Sequence, residues 1–207
     1  MLEKFPESIG HVLRDTRAGL DHIAFNRIDL RSGAGAITLS SLAFADHASI
    51  PALYTADGEG VSPPLDWTGI APGATELLLI VEDADSPTPM PLVHAIVTGL
   101  PAGDGHLPEG AIDPESIDAQ EATIGRNSYL RRGWLAPDPP PGHGVHRYAF
   151  QLFALAPGEA IDSVPGREAA LALLRDRAIA SGLLIGTYTR QDGTLPLAGA
   201  RAAVASP

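Results

Sequence analysis

The chain has 207 residues, 44% of them hydrophobic and 19% charged, a balance that excludes a disordered protein and suits one domain with a sizeable core. Its net charge of −11 argues against nucleic acid and anionic lipid surfaces, which call for clustered Lys and Arg, and the lack of cysteine excludes disulfides and thiolate metal sites. No apolar run approaches the roughly 20 residues that span a bilayer, so an integral membrane protein is not expected; the start Met1-Leu2-Glu3-Lys4-Phe5 lacks a basic-then-apolar leader pattern, which points to the cytoplasm.

In chain order, Ile9, Val12, Leu13, Leu20, Ile23 and Ala24 recur at three- and four-residue spacing and predict an amphipathic helix over 8–24, with Gly19 as its weak point. A polar, glycine-containing link over 26–35 follows. The helix is expected to pack on its own domain; pairing with a second copy, as a homodimer, is the alternative. Residues 37–44 have strand-like composition, and the continuous apolar run at 76–83 reads as a buried strand. Further strands are expected at 92–98, 146–155 and 183–189, separated by Pro- and Gly-rich loops. One more helix is predicted over 167–181, with Ala170, Leu173, Leu174 and Ala178 on one stripe and Gly182 as its stop.

Strands spaced by loops rather than by regular helices predict a mainly β protein of β-sandwich type with a few peripheral helices, not a doubly wound parallel sheet. The organisation expected is a helix and linker at 1–35, one domain at 36–190, and a frayed tail at 191–207.

Three stretches carry polar groups where chemistry is plausible. Asp83-Ala84-Asp85-Ser86-Pro87 sits where the apolar strand runs out, and an extended chain there would point both carboxylates to one side. His94 interrupts an apolar strand. The stiff run Pro137-Asp138-Pro139-Pro140-Pro141-Gly142-His143-Gly144-Val145 leads into His146-Arg147-Tyr148, and period two puts His146, Tyr148, Phe150 and Leu152 on one face.

These pieces, in this order, resemble the phosphatidylethanolamine-binding protein (PEBP) family, particularly its bacterial Raf-kinase-inhibitor-like branch. The resemblance runs over roughly residues 37–190. It includes Asp57-Gly58-Glu59-Gly60-Val61-Ser62-Pro63-Pro64-Leu65-Asp66-Trp67 besides the three stretches above. It implies a β-sandwich-like fold with a pocket for phosphate, acetate or a phospho-headgroup, and it carries over Asp83, Asp85, His94, Pro139, Pro140, His146 and Tyr148 as ligand-binding residues. Departures from the family pattern are Ala84 for Pro, Ser86 for Ala, and Leu92 where many members have Trp.

The function expected is binding of a small anionic ligand in a regulatory role, without a cofactor and without catalytic residues: the chain has no cysteine and no Gly-x-Ser-x-Gly elbow. In this reading the two acids accept imidazole N–H bonds, His94 and His146 aim their other nitrogens at the ligand, and Tyr148 donates its hydroxyl. The alternatives are a hydrolase of phosphoesters or carboxylic esters using His146 or Asp83 as base, and a protein-interaction module of kinase-inhibitor type. Two histidines and two carboxylates would also suit Zn²⁺ or Mn²⁺, but a metal-free pocket is preferred because the histidines lack helical i, i+4 spacing.

Overall fold

A computed structural model describes residues 7–30, 35–117, 122–159 and 164–190, so the expected tail at 191–207 lies outside the described residues. A six-stranded sheet forms its centre, with β1 (Gly35–Ala36), β4 (Glu76–Asp83), β5 (Leu92–Pro101), β7 (Thr123–Ile124), β8 (His146–Leu155) and β9 (Ala178–Tyr188) in the order β1-β9-β8-β4-β5-β7. A three-stranded sheet packs over it in the order β2-β3-β6, from β2 (Thr38–Ser40), β3 (Leu65–Thr68) and β6 (Gly105–Leu107). The protein is mainly β, as expected. Among the described residues, no helix is long and apolar enough to cross a membrane.

The apolar run at 76–83 is the middle strand because both its faces are covered. Leu77, Leu79 and Val81 pack inward with Leu39, Leu65, Trp67 and Leu107 from the smaller sheet. Leu78 and Ile80 pack outward with Phe153 under α3 (Arg167–Arg177) and α2 (Ala24–Arg27). Each such side chain contributes about 1.5–3 kcal/mol by leaving water.

Two helix expectations are corrected. The helix expected over 8–24 is three pieces: α1 (Glu7–Leu13), a 3₁₀ turn at Leu20–His22, and α2. The chain leaves the helix after Leu13 because its backbone finds better partners on the sheet edge, where the Ala18 and Gly19 amides donate to the Ser86 and Ala84 carbonyls at 3.1 and 2.7 Å. Gly19 has φ of 92°, which a glycine adopts without steric penalty.

The helix expected over 167–181 ends at Arg177, and Ala178 already opens β9, paired with Leu155. Gly182 is therefore mid-strand rather than a helix stop. A Cβ there would stand 2.5 Å from the Ile37 carbonyl oxygen, so glycine is required by close backbone approach. Gly182→Val is expected to destabilise the fold by about 1–3 kcal/mol through overpacking, measured by urea unfolding; unchanged stability would contradict this placement.

Candidate functional site

The site forms where β4, β5 and β8 end together. Asp83, the last residue of β4, pairs with Tyr148 on β8 and Leu92 on β5. Alternation then sends Asp83, His146 and Tyr148 to the inner face. His94 reaches that face by a different device. Val81 pairs with Ala95 but Glu82 pairs with Val93, so His94 is an extra residue in β5, a β-bulge. Ile96 belongs to the outer core, and unbroken alternation would have sent His94 there as well. The bulge instead gives Val93 to the outer core and turns His94 inward, as bulges beside sites commonly do.

These residues border a cavity of about 490 Å³, lined among others by Asp83, His94, His146, Pro139 and Pro140. Leu92 also lines it, where many relatives were expected to offer Trp. An aromatic neighbour of His94 comes instead from Trp134, at 6.0 Å between ring centres. The proline loop is fixed from behind by Arg190, only 2% exposed, which donates to Asp138 at 2.6 Å, to the Pro139 carbonyl at 3.3 Å, and to both oxygens of Asp57. Asp57, the first residue of the quoted Asp57 to Trp67 motif, thus anchors the loop without lining the cavity.

The two carboxylates have separate fates. Asp83 accepts the His146 Nδ1–H at 2.7 Å and, on its other oxygen, the Asp85 amide at 2.8 Å. That turn rotates Asp85 away from the cavity into a buried clamp, where Arg147 donates from Nε and Nη2, each at 2.7 Å, and Arg17 lies at 3.0 Å. Burial raises the Asp85 carboxyl, but the Arg147 and Arg17 bonds outweigh it and hold the group below the ordinary value. The expectation that both acids share one space is therefore corrected: the chain turns at Asp83 instead of staying extended.

The imidazoles are also arranged differently from expectation. His94 is oriented by a backbone carbonyl, with Nδ1 bonded to Leu135 O, and its buried Nε2 has no hydrogen-bond partner among the described residues. His146 has no free nitrogen, because Nε2 lies 2.7 Å from Nδ1 of His143. His143 is fully buried, and its Nε2 donates to the Leu13 carbonyl at 2.8 Å. Tyr148 stands edge-on to His94 at 5.1 Å outside the lining, and its buried hydroxyl is likewise without a partner among the described residues. Burial pushes the His94 imidazole below its ordinary value against the pull of Asp83, and pushes the Tyr148 phenol well above its own.

His143, Asp138, Leu13 and Trp134 are not among the ligand-binding residues expected from the sequence, although Asp138 and His143 lie in the proline-rich stretch. The signal for His143 was present, since it follows the proline run three residues before His146, but period-two reasoning stops at the strand boundary. Among the described residues no three His, Asp or Glu side chains converge as a metal-holding group.

The comparisons agree with this architecture. The family model described as phosphatidylethanolamine-binding protein matches residues 40–189. A UPF0098 protein of Methanothermobacter thermautotrophicus is 35% identical over 156 residues, covering 74% of this chain and 99% of that one. The crystal structure of a PEBP homologue, CT736 of Chlamydia trachomatis, superposes with a TM-score of 0.67 at 33% identity, covering 75% of this chain and 98% of that one. The E. coli protein YbcL shares the fold, with a TM-score of 0.69 at 24% identity over 74% of this chain and 98% of its own. The chain belongs to the phosphatidylethanolamine-binding protein family.

Proposed function

We propose that the cavity binds a small oxyanion, a carboxylate, phosphate or phospho-headgroup, and that occupancy serves a regulatory role rather than turnover. The observation that carries this reading is the buried His94 Nε2, which belongs to a cavity-lining ring and has no hydrogen-bond partner among the described residues, beside the buried Tyr148 Oη in the neighbouring ring, which has none there either. Each stranded polar group costs about 1–3 kcal/mol, so a bound partner that satisfies both is favoured.

The hydrogen-bond polarity narrows the ligand. His94 donates from Nδ1 to a carbonyl, so its neutral form presents a lone pair at Nε2. An oxyanion is held there only when a proton lies between it and the ring, taken up by His94 or brought as a ligand hydroxyl. Tyr148 supplies a ready donor. Asp138 is matched by Arg190 and Asp83 is engaged by the His146 ring, so the nearby carboxylates do not repel a monoanion outright. Binding is favoured over hydrolysis because both nitrogens of His146 are engaged, leaving it no site to take a proton from a nucleophile.

Proton uptake is the test. Burial lowers the His94 pKa in the free protein, and a bound anion raises it, so between the two values binding takes up one proton. Acetate stays ionised from pH 6 to 8 and reports the protein alone. Its affinity is expected to fall up to about tenfold per pH unit across this range, with a calorimetric heat that depends on the buffer's ionisation enthalpy. A pH-flat affinity with buffer-independent heat would sink the reading.

A further inference from the structure

The segment before residue 40 lies outside the family-matched region, yet it grips the cavity's proline loop. A Cβ added at Gly10 would overlap the Pro141 carbonyl oxygen, so α1 lies directly on the loop backbone. Arg14 donates to the Gly142 carbonyl at 3.3 Å, and Arg17 donates to the carbonyls of His143 and Val145 at 3.0 and 2.8 Å while pairing with buried Asp85. Between them, the half-buried side chain of Leu13 forms part of the cavity lining.

Leu13 is also tied to the centre of the site. Its carbonyl accepts from His143, which is linked to His146, which is linked to Asp83, at 2.8, 2.7 and 2.7 Å. Both ends of this chain are acceptors, so the two imidazoles are held between the Leu13 carbonyl and the Asp83 carboxylate, and the link to Leu13 is the least buried of the three.

We propose that residues 10–17 are a specificity wall of the ligand cavity, in which Leu13 limits the size of the group admitted and the hydrogen-bonded chain Leu13–His143–His146–Asp83 holds the wall in place. This rests on the reading that the cavity is the oxyanion site. The charged and titratable groups around His143 and His146 are Asp83 on β4, Asp85 on the following turn, His94 on β5, Arg147 on β8, and His11, Arg14 and Arg17 on the wall. Of these, His94 faces the ligand itself, so wall movement is read from a ratio of two ligands that His94 affects alike.

The experiment compares acetate with benzoate, two carboxylates differing in bulk, by calorimetry on the full chain. Three variants open the wall by different means. Gly10→Ala favours the helix but clashes with Pro141, Leu13→Ala removes the blocking side chain, and His143→Phe keeps a ring while breaking the chain. Each is expected to raise the benzoate-to-acetate affinity ratio at least fivefold. Acetate binding to wild type with an unchanged ratio in Leu13→Ala and Gly10→Ala, both folded by circular dichroism, overturns the wall. Absence of acetate and benzoate binding to wild type overturns the oxyanion reading beneath it, and the wall with it.

Discussion

Arg167→Met is expected to cost about 3–5 kcal/mol of folding free energy, the largest loss among single changes argued from this structure. Glu82 on β4 is fully buried on the outer face, and its carboxylate accepts from Arg167 Nε at 2.7 Å, Gln151 Nε2 at 2.9 Å and the Ala24 amide at 2.7 Å. Arg167 adds a bond to the His22 carbonyl at 2.6 Å, so one guanidinium joins α3, the middle strand and the segment leading into α2. Methionine keeps the apolar stem but strands a carboxylate with no countercharge. The penalty is that of an uncompensated buried charge, not the net worth of the pair, so Glu82→Gln combined with Arg167→Met is expected to recover much of it. Urea unfolding of the three variants closes the cycle, with Arg167→Met melting roughly 10 °C lower or more. A loss under about 1 kcal/mol for Arg167→Met would show that Glu82 is not relying on it.

Glu82 and Asp83 illustrate what a sequence does and does not disclose. Being adjacent in a strand they must face opposite ways, and the boundaries of β4 and β8 were legible because apolar runs and alternation are local signals. The family resemblance was legible in separated motifs, and the family match agrees with it. What escaped depends on partners distant in the chain. Ala178, Ile179, Ala180 and Ser181 are compatible with a helix, and only their pairing with β8 and the backbone of Ile37 packed on Gly182 makes them a strand. An extended chain would put Asp83 and Asp85 on one face, whereas the Asp85 amide turns back onto the Asp83 side chain. His94 is conspicuous as a polar residue in an apolar strand, but the bulge that aims it inward is a register slip against β4, which nothing in residues 92–98 encodes by itself. The wall over the proline loop was illegible for the same reason: helical periodicity described the inside of the N-terminal segment and was silent on what its Gly10 and Arg17 would meet.

His94→Leu is expected to lower acetate affinity about 10- to 100-fold, the loss of one charge-assisted hydrogen bond worth about 1.5–3 kcal/mol, and to remove the pH dependence of binding between 6 and 8. Its companion Tyr148→Phe is expected to weaken acetate by up to about tenfold, as befits a neutral donor. The two part company in stability. Tyr148→Phe deletes a buried hydroxyl that has no partner among the described residues and is expected to stabilise the free protein by about 1 kcal/mol. His94→Leu strips the Leu135 carbonyl of its donor and is expected to cost about as much. The pH response follows from the lowered pKa of His94. Between that value and the unfolded 6.5 the unfolded chain binds a proton that the folded chain refuses, so stability is lost as pH falls through this window. His94→Leu is expected to flatten that loss in part, leaving the share from His143, whose pKa burial and the charge of His146 also lower. Saturating acetate is expected to flatten it in wild type, because the bound anion holds the proton on His94. Should Tyr148→Phe lose stability together with affinity, the hydroxyl is a packing element with a hidden partner, and the pairing of His94 with Tyr148 as the ligand's two contacts fails.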